Sequence, residues 1–375
     1  MPQMSLSKRL FSIDALRGLA ALGVLLYHDA IRLWPTHSSE PTELVSLLAS
    51  VLRFGSTGVQ LFFVISGFCI HLRWAKSCAA GDNSIPDFVP FWKRRIWRLY
   101  PPYLAALALY LLVIGLQGKL RTDGFFWYDL GMHLGMVHNL DSRTVFSMNG
   151  VFWTLAIEEQ LYLLYFVLLR VRIRYGWGAA LWMTFFARIA AFGAFAALRR
   201  VAGVEYPVSE SALANWLPWA LGALSVEAVA GLVKLPRWAC DLRICLLAIL
   251  GAFLLTNTPG WIPHRALISR TTWFGLAYLE ALAFWMLLNC SVAREKRDFK
   301  SSFLWRTLAA VGLFSYSLYL IHELPLHYAL PLFERLLPGF DLTAQMVVLT
   351  PLSIGAAWLF HLAFERPFMP APKQV

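Results

Sequence analysis

The sequence predicts an all-α polytopic membrane protein, and three observations predict it. Of 375 residues, 58% are hydrophobic and only 15% charged, against about 25% charged in an ordinary soluble domain. Apolar runs of the roughly 20 residues needed to cross a bilayer recur from one end of the chain to the other. The 16 Trp and 27 Phe suit a surface that faces lipid and its headgroup belt. No internal repeat, low-complexity tract or soluble segment of domain size is visible, so one integral membrane domain is expected over 1–375, with spans from about 12 to 364 and a short tail, 365–375.

Taken in order, that length rule places ten spans, at 12–34, 51–72, 96–117, 150–169, 176–198, 211–233, 242–258, 270–290, 304–326 and 341–363. Lys8 and Arg9 before the first run resemble the start of a signal peptide. The apolar stretch continues to Trp34 without a small-residue cleavage site, so a retained first span is expected. With the N-terminus inside, the inner segments hold roughly twice the Lys and Arg of the outer ones, and both termini are expected in the cytoplasm. The Arg199–Arg200 pair falls on the outer side and makes the fifth and sixth spans the weakest part of that scheme. The net charge of +11 is therefore a topology signal first. A basic inner face also suits anionic lipid or a polyanionic cytosolic ligand. Nucleic acid is not expected, because nothing presents a groove-reading element. Cys69, Cys78, Cys240, Cys245 and Cys290 show no metal spacing and lie toward the inner side, where reduced thiols are expected.

Within the first span, RGLAALGVLLYH places Arg17 and His28 eleven residues apart. Eleven steps of about 100° come close to three full turns, so both lie on one helix face, roughly 16 Å apart along the axis. Ionisable groups at membrane depth are costly and usually face a cavity or pathway. The aligned pair suggests a polar channel, with His28 able to take up a proton near neutrality. The alternative is a snorkelling Arg17 and a hydrogen-bonded core His28. Asp29 points about 100° away from His28 and reads as an interfacial group. Ser12 or Asp14 is expected to cap the helix.

Four further stretches stand with this one: GSTGVQLFFVISGFCI (55–70), KRRIWRLYPPYLAAL (93–107), FWTLAIEEQLYLLY (152–165) and FSYSLYLIH (314–322). Together, and in this order through to Glu365-Arg366-Pro367, they make the chain resemble the membrane-bound acyltransferase 3 family, of the O-antigen and exopolysaccharide O-acetylase type. The resemblance covers nearly the whole chain and implies a ten-span membrane domain. It implies that the arginine and histidine essential to transfer are Arg17 and His28, and that the family's R-x-x-R is Arg95 and Arg98. Some members carry a fused extracytoplasmic esterase-like domain. This chain ends at Val375 without one, so the membrane domain is expected to work alone or to hand its product to a separate protein.

Several residues then acquire candidate roles. Arg offers bidentate donors to phosphate, so Arg95 and Arg98 are expected to bind coenzyme A, while Lys93 and Arg94 read as anchors. Glu158, Tyr162 and Tyr165 form one polar stripe. Of the two adjacent glutamates, Glu158 is expected to face the site and Glu159 to brace the bundle, a structural ion pair being the alternative. Ser315, Tyr319 and His322 make another stripe, with His322 placed to orient His28 or line the acceptor site. Gly55, Gly58, Ser66 and Gly67 read as helix-packing residues. His133 and His138 sit in an outer loop whose FFWYDLGMHLGMVHNL section suits an interfacial helix. Without carboxylate support they do not suggest a metal site.

The expected activity is an O-acyltransferase of the bacterial inner membrane. Acyl-coenzyme A, acetyl in the first place, is the donor substrate. A hydroxyl of a cell-surface or exported glycan, or of a lipid-linked sugar, is the acceptor, with His28 as base, Arg17 and Glu158 assisting, and Tyr162, Ser315, Tyr319 and His322 lining the substrate. Neither a resident cofactor nor a metal is expected. No serine or cysteine stands out beside His28, which favours direct transfer over an acyl-enzyme. A small exported metabolite is an alternative acceptor. A proton-coupled secondary transporter is the rival from another class, but such proteins usually show inverted repeats and none is visible.

Overall fold

Backbone groups surrounded by lipid must bond within their own segment, and helices do this for each apolar run. The computed structural model describes residues 10–33, 43–203, 205–257, 265–297, 301–329, 335 and 342–369. In order, the helices are α1 Phe11–Leu33, α2 Glu43–Phe54, α3 Gly58–Ala79, α4 Phe88–Leu116, α5 Gly124–Leu134, α6 Trp153–Ala202, α7 Trp216–Val229, α8 Leu242–Thr256, α9 Arg265–Glu295, α10 Phe303–Gly312, α11 Ser315–Ile321, α12 Glu323–Tyr328 and α13 Leu342–Phe360. There is no strand among the described residues. Lys8, Arg9, Trp34, Lys300 and the tail beyond Met369 lie outside them.

Six helices are long and apolar enough to cross a membrane among the described residues, or seven if the bent pair α10–α11/α12 counts as one span. The protein is thus an all-helical membrane protein, while the tenfold count and the side on which the termini lie stay expectations. Part of the difference is length. The 14 residues of α7 and the 15 of α8 reach only about 21–23 Å at 1.5 Å per residue, short of a 30 Å hydrocarbon core. Another part is continuity. The expected fourth and fifth spans correspond to two helical arms of α6, which meet without a loop at a kink at Gly176 (φ 80°, ψ 178°). Its arms, 153–175 and 177–202, meet at a backbone conformation that glycine alone adopts readily.

α1 is the central helix, in contact with α2, α3, α9, α10, α11, α12 and α13. Its first N–H groups are not capped by Ser12 or Asp14 as expected. Glu295, at the end of α9, accepts from the N–H of Phe11 (2.8 Å) and of Ser12 (2.7 Å). A carboxylate there satisfies orphan donors and complements the positive end of the helix dipole.

The expected ninth span is not continuous. α10 and the α11/α12 segment are bent by 65° across Gly312–Ser315. Sharp kinks occur at Gly/Ser pairs, and here a packing reason accompanies them. The Gly312 backbone lies against the Asp14 carbonyl so closely that a Cβ would stand 1.8 Å from that oxygen. The start of α11 is then held by Glu365, in a π-turn after α13. Glu365 Oε2 accepts from the Ser317 hydroxyl (2.6 Å), its N–H (3.3 Å) and His361 Nδ1 (2.8 Å).

Candidate active site

A cavity of about 150 Å³ opens beside α1. α1 contributes Arg17 to its wall, α3 Ser66 and Cys69, α4 Arg95 and Arg98, α6 Glu158 and Tyr162, and α11 Ser315, Tyr316 and Tyr319. The lining carries both signs of charge. Arg17, Arg95 and Arg98 stand within electrostatic reach of Cys69, and the Glu158 carboxylate with several hydroxyls makes up the other polar lining. Glu158 Oε1 accepts from Ser66 Oγ (2.7 Å) and Tyr162 OH (2.6 Å), and Ser66 in turn accepts from Trp219 Nε1 (3.2 Å). Three helices thereby fix one carboxylate. Ser66 is accordingly a ligand of Glu158 rather than a packing residue, whereas neighbouring Gly67 does pack, lying against the Trp219 carbonyl.

His28 is not in that wall; it stands beyond it. Its Nδ1 lies 2.9 Å from the Val24 carbonyl, and His322 Nδ1 lies 2.9 Å from the Tyr319 carbonyl. A carbonyl only accepts, so both Nδ1 atoms carry the proton in the neutral rings. His322 Nε2 then accepts from His28 Nδ1 at 3.2 Å. This chain of bonds leaves His28 Nε2 with a lone pair, and Glu323 Oε1 stands 3.6 Å from it. The geometry is that of a base with an oriented tautomer and a carboxylate ready to stabilise the protonated ring.

Tyr319 joins the two regions. It lines the cavity, its ring lies 6.0 Å from that of His322, and Phe62 packs edge-on against it at 5.6 Å. Its phenol donates to the Val151 carbonyl (3.1 Å) and accepts from Thr154 Oγ1 (2.8 Å).

Of the residues singled out in the sequence, Arg17, Arg95, Arg98, Glu158, Tyr162, Ser315 and Tyr319 meet around one cavity, while His28 and His322 meet each other. Glu159 faces away from the cavity wall and is buried, with neither carboxylate oxygen hydrogen-bonded to protein. Asp29 corrects its expected interfacial place: it is fully buried and accepts from the Thr350 hydroxyl of α13. Glu323 went unnoticed in the sequence. Its signal was a second ionisable residue directly after His322 in an apolar run. The backbone stays helical through His322 (φ −59°, ψ −28°), and both side chains reach His28 from either side. The loop histidines stack on one another at 4.0 Å, with His133 bonded to Asp129 of the expected short helix, α5.

With this geometry in view, the sequence profile described as "Acyltransferase domain" matches residues 10–362. The chain belongs to this acyltransferase family. Among curated relatives, it is similar to the O-acetyltransferase OatA of Staphylococcus aureus (strain NCTC 8325 / PS 47), 29% identical over 168 residues, covering 41% of this chain and 23% of the relative. It is also similar to the putative O-acetyltransferase SACOL0978 of Staphylococcus aureus (strain COL), 29% identical over 187 residues, or 45% of this chain and 27% of that one. These matches thus span only about a quarter of the relatives' own length. No solved structure matches the chain. Membership accounts for the order of the five motifs, since each of them falls inside the matched region.

Proposed function

We propose that the protein is a membrane O-acyltransferase that moves an acyl group, acetyl in the first place, from acyl-coenzyme A to a hydroxyl of a surface or exported glycan. The observation that carries this reading is the pairing of a cationic cavity with an oriented histidine on the same central helix, α1. Arginines suited to phosphate line the cavity, and an oriented base stands beyond its wall, next to the His322 that neighbours Tyr319. In this reading the nucleotide end of the donor docks at Arg95 and Arg98 on the cytoplasmic side of the bacterial inner membrane. The pantetheine arm passes Arg17 and delivers the thioester toward His28, roughly 16 Å along the helix.

The acceptor hydroxyl sits between His28 Nε2 and the thioester. Its oxygen attacks the carbonyl carbon while its proton passes to Nε2, and Glu323 stabilises the imidazolium. The C–O bond forms, the C–S bond breaks, and the departing thiolate takes the proton back from His28. Glu158 holds the cavity wall through Ser66 and Tyr162 and lies beside the path of the arm. No step requires an acyl-enzyme. Family membership favours transfer over the transporter alternative, because a transporter has no use for an acyl donor.

The test is transfer of radiolabelled acetyl from acetyl-coenzyme A by purified protein in nanodiscs, with crude surface glycan as acceptor. Transfer by the native chain and its loss in His28→Gln are expected. Label that never leaves the donor, whatever acceptor is supplied, excludes the reading.

A further inference from the structure

A second cleft lies outside the acyl-transfer machinery, between the start of α8 and the end of α9. It has a volume of about 530 Å³, and its lining includes Cys240, Asp241, Arg243, Cys290, Arg294 and Arg297. The one carboxylate among its described lining residues is already engaged. Asp241 Oδ1 accepts from the N–H of Arg243 (2.8 Å) and of Ile244 (3.3 Å), capping α8. Three guanidiniums, of Arg243, Arg294 and Arg297, line the same cleft, and guanidinium forks match phosphate oxygens.

The surface below the cleft is as distinctive as its mouth. Leu246, Leu247, Leu250 and Leu254 follow Arg243 at helical spacing and are 49–67% exposed. They form one apolar stripe that begins at the arginine. From Arg243 to Leu254 the stripe runs roughly 16 Å at 1.5 Å per residue, about half the thickness of a bilayer core and so the depth of one leaflet. A cationic mouth above an apolar stripe one leaflet long has the shape of a phospholipid: phosphate above, acyl chain below.

We propose that this cleft binds the phosphate of an anionic phospholipid, with an acyl chain laid along the α8 stripe. A soluble phosphate compound would satisfy the mouth and leave the stripe unused. The site also adjoins a structural joint, because Glu295, next to Arg294, holds the first N–H groups of α1. The inference is independent of the reaction assigned to the other cavity.

The experiment uses the full chain in nanodiscs of phosphatidylcholine containing a minority of phosphatidylglycerol, with retained lipid counted by native mass spectrometry. The native protein is expected to retain phosphatidylglycerol above its share of the disc. The R243Q/R294Q/R297Q variant should lose that preference, each arginine being worth about fivefold. A charge-matched control, R170Q/R174Q/K234Q, removes three exposed cations elsewhere and should keep it. An Arg→Lys version of the cleft triple, which keeps charge without the fork, should fall between. Retention unchanged in the cleft variant, or lowered equally in the control, overturns the proposal. Displacement of the lipid by glycerol phosphate at equal concentration would assign the mouth to a soluble phosphate and overturn the lipid assignment. L247S/L250S should weaken lipid retention and leave glycerol phosphate unaffected.

Discussion

At the scale of single residues, the consequential fact is that His28 makes its backbone bond through Nδ1, which leaves Nε2 as the acceptor. His28→Ala and His28→Gln should therefore both abolish acetyl transfer while the protein stays inserted, since glutamine bonds but takes up no proton at neutral pH. Glu323→Gln should lower kcat by about 10²-fold with donor KM little changed, because it acts on the charged ring and not on binding. Steady-state kinetics with donor and acceptor varied separately will tell these apart. Arg95→Ala and Arg98→Ala should instead raise donor KM, with activity partly recovered at high acyl-coenzyme A. A fall in kcat at constant donor KM would contradict phosphate binding. Lys93→Ala, at an exposed position, should be milder.

At the scale of elements, the register of α1 depends on contacts from other helices. Glu295→Ala removes the acceptor of two N–H groups and should cost about 1 kcal/mol of stability. It should lower transfer out of proportion to that loss, because α1 carries both Arg17 and His28. Thermal midpoint and activity measured on one preparation test this pairing. The segment between α5 and α6 makes a pH-dependent prediction. Burial, with His133 alongside, lowers the pKa of His138 to about 3, against about 6.5 in an unfolded chain. The unfolded chain thus binds a proton that the folded one refuses between those values. This contribution to stability is complete above pH 6.5 and declines as pH falls toward 3. The denaturation midpoint should fall more steeply between pH 7 and 4.5 in the native protein than in His138→Gln, and equal slopes would exclude the assignment.

What the sequence made legible divides along the same line. Hydropathy located the apolar runs, and helical spacing placed Arg17, Glu158 with Tyr162, and Ser315 with Tyr319 on common faces, because these depend on one helix at a time. The break at Gly176 falls where the apolar runs 150–169 and 176–198 already separate, whereas the 65° bend and the cap from Glu295 depend on what packs against what. Glu323 was hidden for the same reason. Adjacent residues both reach His28 because α1 packs against this segment, a contact that no single-helix pattern shows.

At the scale of the whole molecule, the topology expected from charge can be checked by labelling single cysteines from either side of intact cells. Cysteines introduced at Arg174 and at Asp82 should react from one side, and one at Gly124 from the other. Labelling of all three from the same side would refute the arrangement. Reactivity at Arg174 also distinguishes an α6 that turns at Gly176 at the membrane surface from one that stays buried.

Tyr319 and Phe62 carry a consequence for the cell that houses the protein. Polar groups enter this bundle from both ends, and a continuous water file through them would short-circuit the proton gradient of an energised membrane. The Phe62–Tyr319 contact, with the Tyr319 phenol fixed to Thr154 and Val151, stands between the two polar regions. A contact at this place is expected to insulate electrically as well as to wall the cavity. Proteoliposomes bearing the native chain should hold an imposed pH gradient, read with an entrapped dye, whereas F62A/Y319A should dissipate it severalfold faster. In the same vesicles the variant should hydrolyse acetyl-coenzyme A without acceptor, because the opening that admits protons also admits water to the thioester.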